Sequence, residues 1–294
     1  MSAKNAIQIQ SVSSDQPDDL RTDTSDHSDH QLQRPINVQQ QDEGCNRRKV
    51  ALITGSATGI GARLAVDLAV AGYFVIVTGR NSDSLERIVQ ECNRVSNSQA
   101  ATSSSSFVAD LFDIKQVDKL IEFVRRKFNR LDVLVNNACW RGDIKNILDV
   151  GSVDDLKKVM HLNVSVPLYL IQKCLIPLRT TEIGAVVVNV SSVASQVAVP
   201  LHLYSISKAC LSELTRQIAS LSRSLDILAV TVSPGPVLTC ERPHHVMMSH
   251  LTLMNRVGSV EEISNSILFV IENAVLFNGK ELIVDGGYLA KQRQ

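Results

Sequence analysis

From residue 49 onward, short β-branched apolar runs alternate with longer amphipathic stretches. The runs cover residues 50–53, 74–78, 107–109, 133–135, 186–190, 227–232 and 282–284. Within each run the apolar residues are consecutive, the pattern of strands covered on both faces. Between them, residues 62–71, 85–95, 117–128, 154–175 and 207–221 repeat their apolar positions at helical spacing. Strands alternating with helices predict βαβ units and an α/β fold: a doubly wound parallel sheet of about seven strands with helices on both faces. The serine-rich stretch 96–106 predicts an enlarged surface loop before the third strand.

Residues 1–48 depart from this pattern. They contain no aromatic residue and are rich in Gln, Ser and Asp. Such a segment cannot bury enough apolar surface to offset its ordering entropy. The expected organisation is a disordered polar tail over 1–48 and one folded domain over 49–294. His27 and His30 lie in that tail with nothing to complete a coordination shell, so no metal site is expected.

The 30 basic and 30 acidic side chains cancel, with no basic stripe carrying interleaved aromatics. That argues against nucleic acid or an anionic membrane surface as the main partner. No apolar run reaches the ~18 residues of a bilayer span. The N-terminus has no signal-peptide core and is too acidic for a transit peptide, so a cytoplasmic protein is expected. Six cysteines without a C-x-x-C pair read as small packed hydrophobes.

Candidate chemistry begins after the first strand, at Thr54-Gly-Ser-Ala-Thr-Gly-Ile-Gly61. Gly55, Gly59 and Gly61 let the backbone turn tightly and approach a ligand, with Ser56, Thr58 and Ile60 in the same turn. The helix that follows presents free N–H groups and its positive dipole end to a pyrophosphate. Strand before, helix after, within a βαβ unit, is the context a dinucleotide site requires. The second strand ends Thr78-Gly-Arg-Asn81. A carboxylate there would hold a ribose 2′-hydroxyl, whereas Arg80 suits a 2′-phosphate. NADP(H) is therefore favoured, with NAD(H) possible.

A second constellation is Tyr204-Ser-Ile-Ser-Lys208. On a helix, positions i and i+4 share a face, which sets a phenol beside an ammonium. An ordinary tyrosine titrates near ~10, and a neighbouring cation favours its phenolate form. That equips the pair for acid/base work near neutral pH. The doublet Ser191-Ser192 precedes it by about a dozen residues.

Together, Thr-Gly-x-x-x-Gly-Ile-Gly and Tyr-x-x-x-Lys resemble the short-chain dehydrogenase/reductase family in its single-domain, Rossmann-like form, over roughly residues 49–288. Further marks fall in order: Asp110, Asn136-Asn-Ala138, Asn163, Val190-Ser-Ser-Val193, Pro234-Gly-Pro-Val-Leu-Thr239 and Asp285-Gly-Gly287. The resemblance implies a catalytic set of Asn163, Ser192, Tyr204 and Lys208. It also implies cofactor contacts at Asp110, Asn137, Tyr204, Lys208, Pro234, Gly235, Val237 and Thr239, beside the glycine turn and Arg80. The implied reaction moves a hydride between NADP(H) and a carbonyl or secondary alcohol, Tyr204 supplying the proton and Ser192 holding the carbonyl. The alternatives are an NAD-dependent alcohol or hydroxysteroid dehydrogenase, or a cofactor-binding scaffold without turnover. A homodimer or homotetramer is also implied, pairing through helices at 154–175 and 204–222 and through the last strand.

Two departures stand out. Ser192 precedes Tyr204 by twelve residues, one fewer than the family pattern, whereas Ser191 precedes it by thirteen. Local matching favours Ser192, leaving Ser191 as a strand-end hydroxyl. Cys139 stands where the family usually has Gly, and a packed small hydrophobe is the favoured reading. Residues 240–255 are expected to cover the substrate, with 140–143 and 195–199 as its walls.

Overall fold

A computed structural model of the chain describes residues 48–96, 104–143, 146–178, 184–239 and 248–292. The predicted tail up to residue 47, the loop segment 97–103 and half of the expected cover, 240–247, lie outside the described residues.

Seven parallel strands form one sheet in the order β3-β2-β1-β4-β5-β6-β7. They are β1 (Val50–Thr54), β2 (Phe74–Gly79), β3 (Ser105–Val108), β4 (Val133–Asn136), β5 (Ala185–Val190), β6 (Ile227–Pro234) and β7 (Glu281–Val284). The principal helices are α1 (Gly59–Val70), α2 (Ser82–Val95), α3 (Ile114–Phe128), α4 (Ser152–Met160), α5 (Val166–Leu178) and α6 (His202–Ser220). A one-turn α7 (Ser222–Leu225) follows, and then α8 (Val260–Glu272).

The consecutive apolar runs serve two cores at once. Val50 and Leu52 pack with α3, α5 and α6 on one face. Ala51 and Ile53, one residue out of phase, pack with α1, α2 and α8 on the other. Successive side chains of a strand point to opposite faces, so a strand buried on both sides must be apolar throughout.

Two expectations need correction. The third strand begins inside the serine run, at Ser105, paired with Ile76 of β2. Hydrogen bonding pays for this: Ser104 Oγ accepts from the Val75 N–H at 3.2 Å, and Ser105 Oγ accepts from Lys127 Nζ. The helix expected over 154–175 is interrupted by a π turn, His161–Ser165, in which the Val166 N–H reaches back to the His161 carbonyl. Pro167 accounts for the break, since it has no N–H for the Asn163 carbonyl and its ring crowds that carbonyl.

Strand order reverses between β1 and β4, so a crevice opens beyond their carboxyl ends, where doubly wound sheets bind ligands. Thr54 closes the floor of that crevice. Its hydroxyl accepts from the N–H groups of Asn137 and Ala138, both at 3.0 Å. Among the described residues, no helix is long and apolar enough to cross a membrane.

Candidate active site

The glycine turn sits at the carboxyl end of β1. Gly55 has a left-handed backbone (φ +63°), and a Cβ there would lie 2.8 Å from Ala138 Cα. A Cβ on Gly61 would meet Asn137 Nδ2 at 2.6 Å. Any other residue at either position would push the β4 loop away from α1. The first in-helix bond of α1 is Ala62 N–H to the Thr58 carbonyl, at 3.2 Å. The amides of Gly59, Ile60 and Gly61 therefore have no acceptor within the helix, the arrangement that suits a phosphate.

Not every expected cofactor contact faces the crevice. Ser56 is turned inward and fully buried. Its hydroxyl donates to the Ile53 carbonyl (2.8 Å) and accepts from the Thr78 N–H (2.9 Å), while its own N–H bonds the Thr78 carbonyl (3.1 Å). It staples β1 to β2, and both its polar groups are spent there. Asn137 lines the crevice, but its amide NH2 donates to the carbonyls of Thr54 (2.9 Å) and Gly55 (3.0 Å), holding the glycine turn in shape. Asp110 is likewise engaged locally, its carboxylate accepting from the Phe112 N–H at 3.0 Å. Arg80 is exposed at the end of β2.

The second constellation lies across the crevice. Tyr204 occupies the first turn of α6 and Lys208 the next, both almost fully buried. Lys208 Nζ donates to the Val190 carbonyl at 2.7 Å and lies 5.6 Å from the centre of the Tyr204 ring. A buried ammonium is costly unless hydrogen bonds satisfy it. The last carbonyl of β5 thus fixes the lysine under the phenol.

The two serines of the doublet differ in environment. Ser191 is buried; its hydroxyl donates to the Lys208 carbonyl (2.9 Å) and accepts from Ser212 Oγ (3.0 Å). Ser192 is half-buried and its Oγ accepts only a weak bond from the Ala194 N–H, at 3.2 Å. The hydroxyl left to meet a ligand is that of Ser192.

Asn163, at the centre of the π turn, is fully buried. Its Oδ1 accepts from the Trp140 N–H (2.8 Å), and its Nδ2 donates to the Trp140 carbonyl (2.7 Å) and to Ser207 Oγ (2.9 Å). One amide thereby joins the loop after β4 to α6. Only a turn wider than an α-helix aims it both ways.

These groups converge on one cleft, where Ser192, Tyr204 and Lys208 face Ile60, Pro234, Gly235, Val237 and Thr239. Two side chains of the loop after β4 also line this cleft. Cys139 is exposed on the cleft, not packed, and Arg141 stands over the Tyr204 ring. The glycine departure at 139 was the sequence signal for the first, whose packed reading the exposure corrects, and the second falls within the expected wall 140–143. Of the expected walls, Ser195 instead donates to the Ser192 carbonyl at 2.6 Å. Met254 lines a separate hollow of about 380 Å³ against α8. That hollow is larger than the cleft, yet it contains none of the acid/base groups. Among the described residues, no cluster of His, Cys, Asp or Glu could hold a metal ion.

A family model described as short chain dehydrogenase matches residues 49–244. The chain belongs to the short chain dehydrogenase family of oxidoreductases. It is 28% identical to a 7alpha-hydroxysteroid dehydrogenase of Bacteroides fragilis over 81% of this chain and 93% of that protein. It is 30% identical to a 3-oxoacyl-[acyl-carrier-protein] reductase of Synechocystis, over 81% of this chain and 96% of the relative. Its fold is similar to L-sorbose reductase from Gluconobacter frateurii, solved with NADPH and L-sorbose. There the TM-score is 0.73 at 24% identity, covering 82% of this chain and 97% of that one.

Proposed function

We propose that this protein reduces a small carbonyl compound, or oxidises the matching secondary alcohol, with NADP(H) and with Tyr204 as general acid/base. The observation that carries the reading is the single cleft that sets Tyr204, Lys208 and Ser192 opposite Ile60 at the mouth of α1. The residues fit a dinucleotide. The amides of Gly59, Ile60 and Gly61 suit its pyrophosphate, Arg80 a ribose phosphate, and Pro234, Gly235, Val237 and Thr239 the nicotinamide end.

When bound, the nicotinamide supplies or accepts the hydride. Ser192 Oγ donates a hydrogen bond to the carbonyl oxygen and fixes its direction. As negative charge grows on that oxygen, Tyr204 gives up its phenolic proton to it, so the carbonyl becomes a hydroxyl. The Lys208 ammonium stabilises the phenolate left behind. Asn163 acts as a positioning residue, holding Ser207, one residue before Lys208, and the loop that faces Tyr204. Oxidation runs the same proton movements backwards. The short expected cover, 240–255, favours a short carbonyl compound over a steroid, the second reading kept open by the relatives.

NADPH oxidation against a panel of short ketones, sugars and steroid ketones tests this. Turnover that is lost in Tyr204→Phe while NADPH still binds supports it. Undiminished turnover in that variant overturns the mechanism. Firm cofactor binding with no carbonyl reduced favours the scaffold.

A further inference from the structure

The geometry points to Arg141 as a substrate-binding residue that selects ketones carrying a carboxylate near the reacting carbonyl, that is, short 2-oxo or 3-oxo acids. The inference rests on the oxidoreductase reading and names its substrate class.

Position comes first. Arg141 lines the same cleft as Ser192 and Tyr204, and its guanidinium carbon lies 5.4 Å from the centre of the Tyr204 ring. The Tyr204 ring therefore has two cations close to it, Lys208 at 5.6 Å and Arg141 at 5.4 Å from its centre. The lysine is fully buried and bonded to the Val190 carbonyl, whereas Arg141 is only half-buried. Among the described residues, no carboxylate lines the cleft. An anion entering it meets two positive charges near the phenol.

Rigidity comes second. The loop that carries Arg141 is fastened on both sides of it. Trp140, immediately before, has both its N–H and its carbonyl bonded to the Asn163 amide, and its ring packs edge-on against Phe112 at 5.9 Å. Gly142, immediately after, has a left-handed backbone (φ +81°), and a Cβ there would come within 3.1 Å of Val159. The Asp143 N–H then donates to the buried Asp155 carboxylate at 3.0 Å. A guanidinium held by its backbone in this way loses little freedom on forming a two-pronged bond to a carboxylate, the geometry for which arginine is suited. With the carbonyl oxygen on Ser192 and Tyr204, a guanidinium beside the phenol reaches an acid group one or two carbons away.

The test compares acetoacetate with its methyl ester, which differ in charge but not in the reacting ketone. Steady-state NADPH oxidation is measured for the native chain, Arg141→Ala and Arg141→Lys, together with the dissociation constant of NADPH. The native chain is expected to favour the acid by about tenfold or more in kcat/KM. Arg141→Ala should lose about 10- to 100-fold with the acid, mostly through KM, and less than about threefold with the ester, the loss expected for one charge-assisted contact. Arg141→Lys should restore part of the preference. Equal losses on acid and ester would show that Arg141 acts on Tyr204 alone and overturn the proposal. Weaker NADPH binding with an unchanged acid-to-ester ratio would assign Arg141 to the cofactor and also overturn it. If neither ketone is reduced, the wider carbonyl panel decides the oxidoreductase reading separately. Titration calorimetry with isovalerate, a non-reducible carboxylate of the same shape, then decides the site: binding to the NADP+-saturated native chain that Arg141→Ala abolishes upholds it, and no binding overturns it.

Discussion

The two ends of the crevice are built on different principles. At the chemical end the supporting side chains are buried and tied to backbone: Lys208 to Val190, Asn163 to Trp140, Ser191 to the Lys208 carbonyl. At the ribose end the selecting side chain, Arg80, stands exposed at a strand terminus, and the buried polar residues near it, such as Ser56, serve the scaffold. One end is preorganised by the fold before any ligand arrives; the other acquires its geometry with the ligand. Substitutions of those tethering side chains should therefore damage chemistry and stability together, and substitution of Arg80 should alter affinity alone.

The largest effect is expected at Tyr204. Tyr204→Phe removes the proton donor and should cut kcat by about 10²–10⁴-fold, the usual contribution of a positioned acid/base group. NADPH affinity and the melting temperature should change little. Equal loss of cofactor binding would show that the two ends are not separable.

Asn163→Ala comes next and tests the fastening. It leaves the Trp140 carbonyl, the Trp140 N–H and Ser207 Oγ without their shared partner. Each stranded buried group costs about 1–3 kcal/mol, partly relieved where water enters. Urea denaturation should show a destabilisation of about 2 kcal/mol or more, and kcat should fall because the Trp140–Arg141 loop loses its anchor. Normal stability with a lowered kcat would restrict Asn163 to the chemistry.

Arg80→Ala probes the opposite end. It should weaken NADPH by about 10- to 100-fold, the scale of a charge-assisted phosphate contact, and leave NADH and stability unchanged. Equal affinity for the two cofactors in the native chain would remove Arg80 from the ribose site.

The same division explains what could be read in advance. The strands were legible because burial on both faces demands unbroken apolar runs, and the glycine turn because close approach forbids a Cβ. Tyr204 and Lys208 were legible because helical spacing sets them on one face and the family's Tyr-x-x-x-Lys pattern matches them. Hydrogen bonds between residues far apart in sequence left no local trace. Ser56 bonded to Thr78, Asn137 bonded to Thr54 and Asn163 bonded to Trp140 are of this kind. The start of β3 was misread because serines satisfied by distant donors look like loop residues. The π turn did have a marker, Pro167, inside what scanned as one helix.

The smallest effect belongs to a pair outside both ends, and it serves as the control. Arg256 and Glu262 form an exposed ion pair at the start of α8, where Glu262 also closes the capping box with Ser259. The Arg256 hydrogen bonds, with that of the Ser259 N–H, hold the Glu262 carboxyl down at about 2. A carboxylate depressed in the folded state contributes stability above its unfolded value, near ~4.3, and loses it as pH falls toward the folded one. Thermal melts should therefore show a loss between pH ~4.5 and ~2 that is smaller in Arg256→Ala, by no more than about 2–3 °C, because both groups face solvent and salt screens them. Turnover and cofactor affinity at neutral pH should not move. A change in either would tie α8 to the crevice and break the two-ended division.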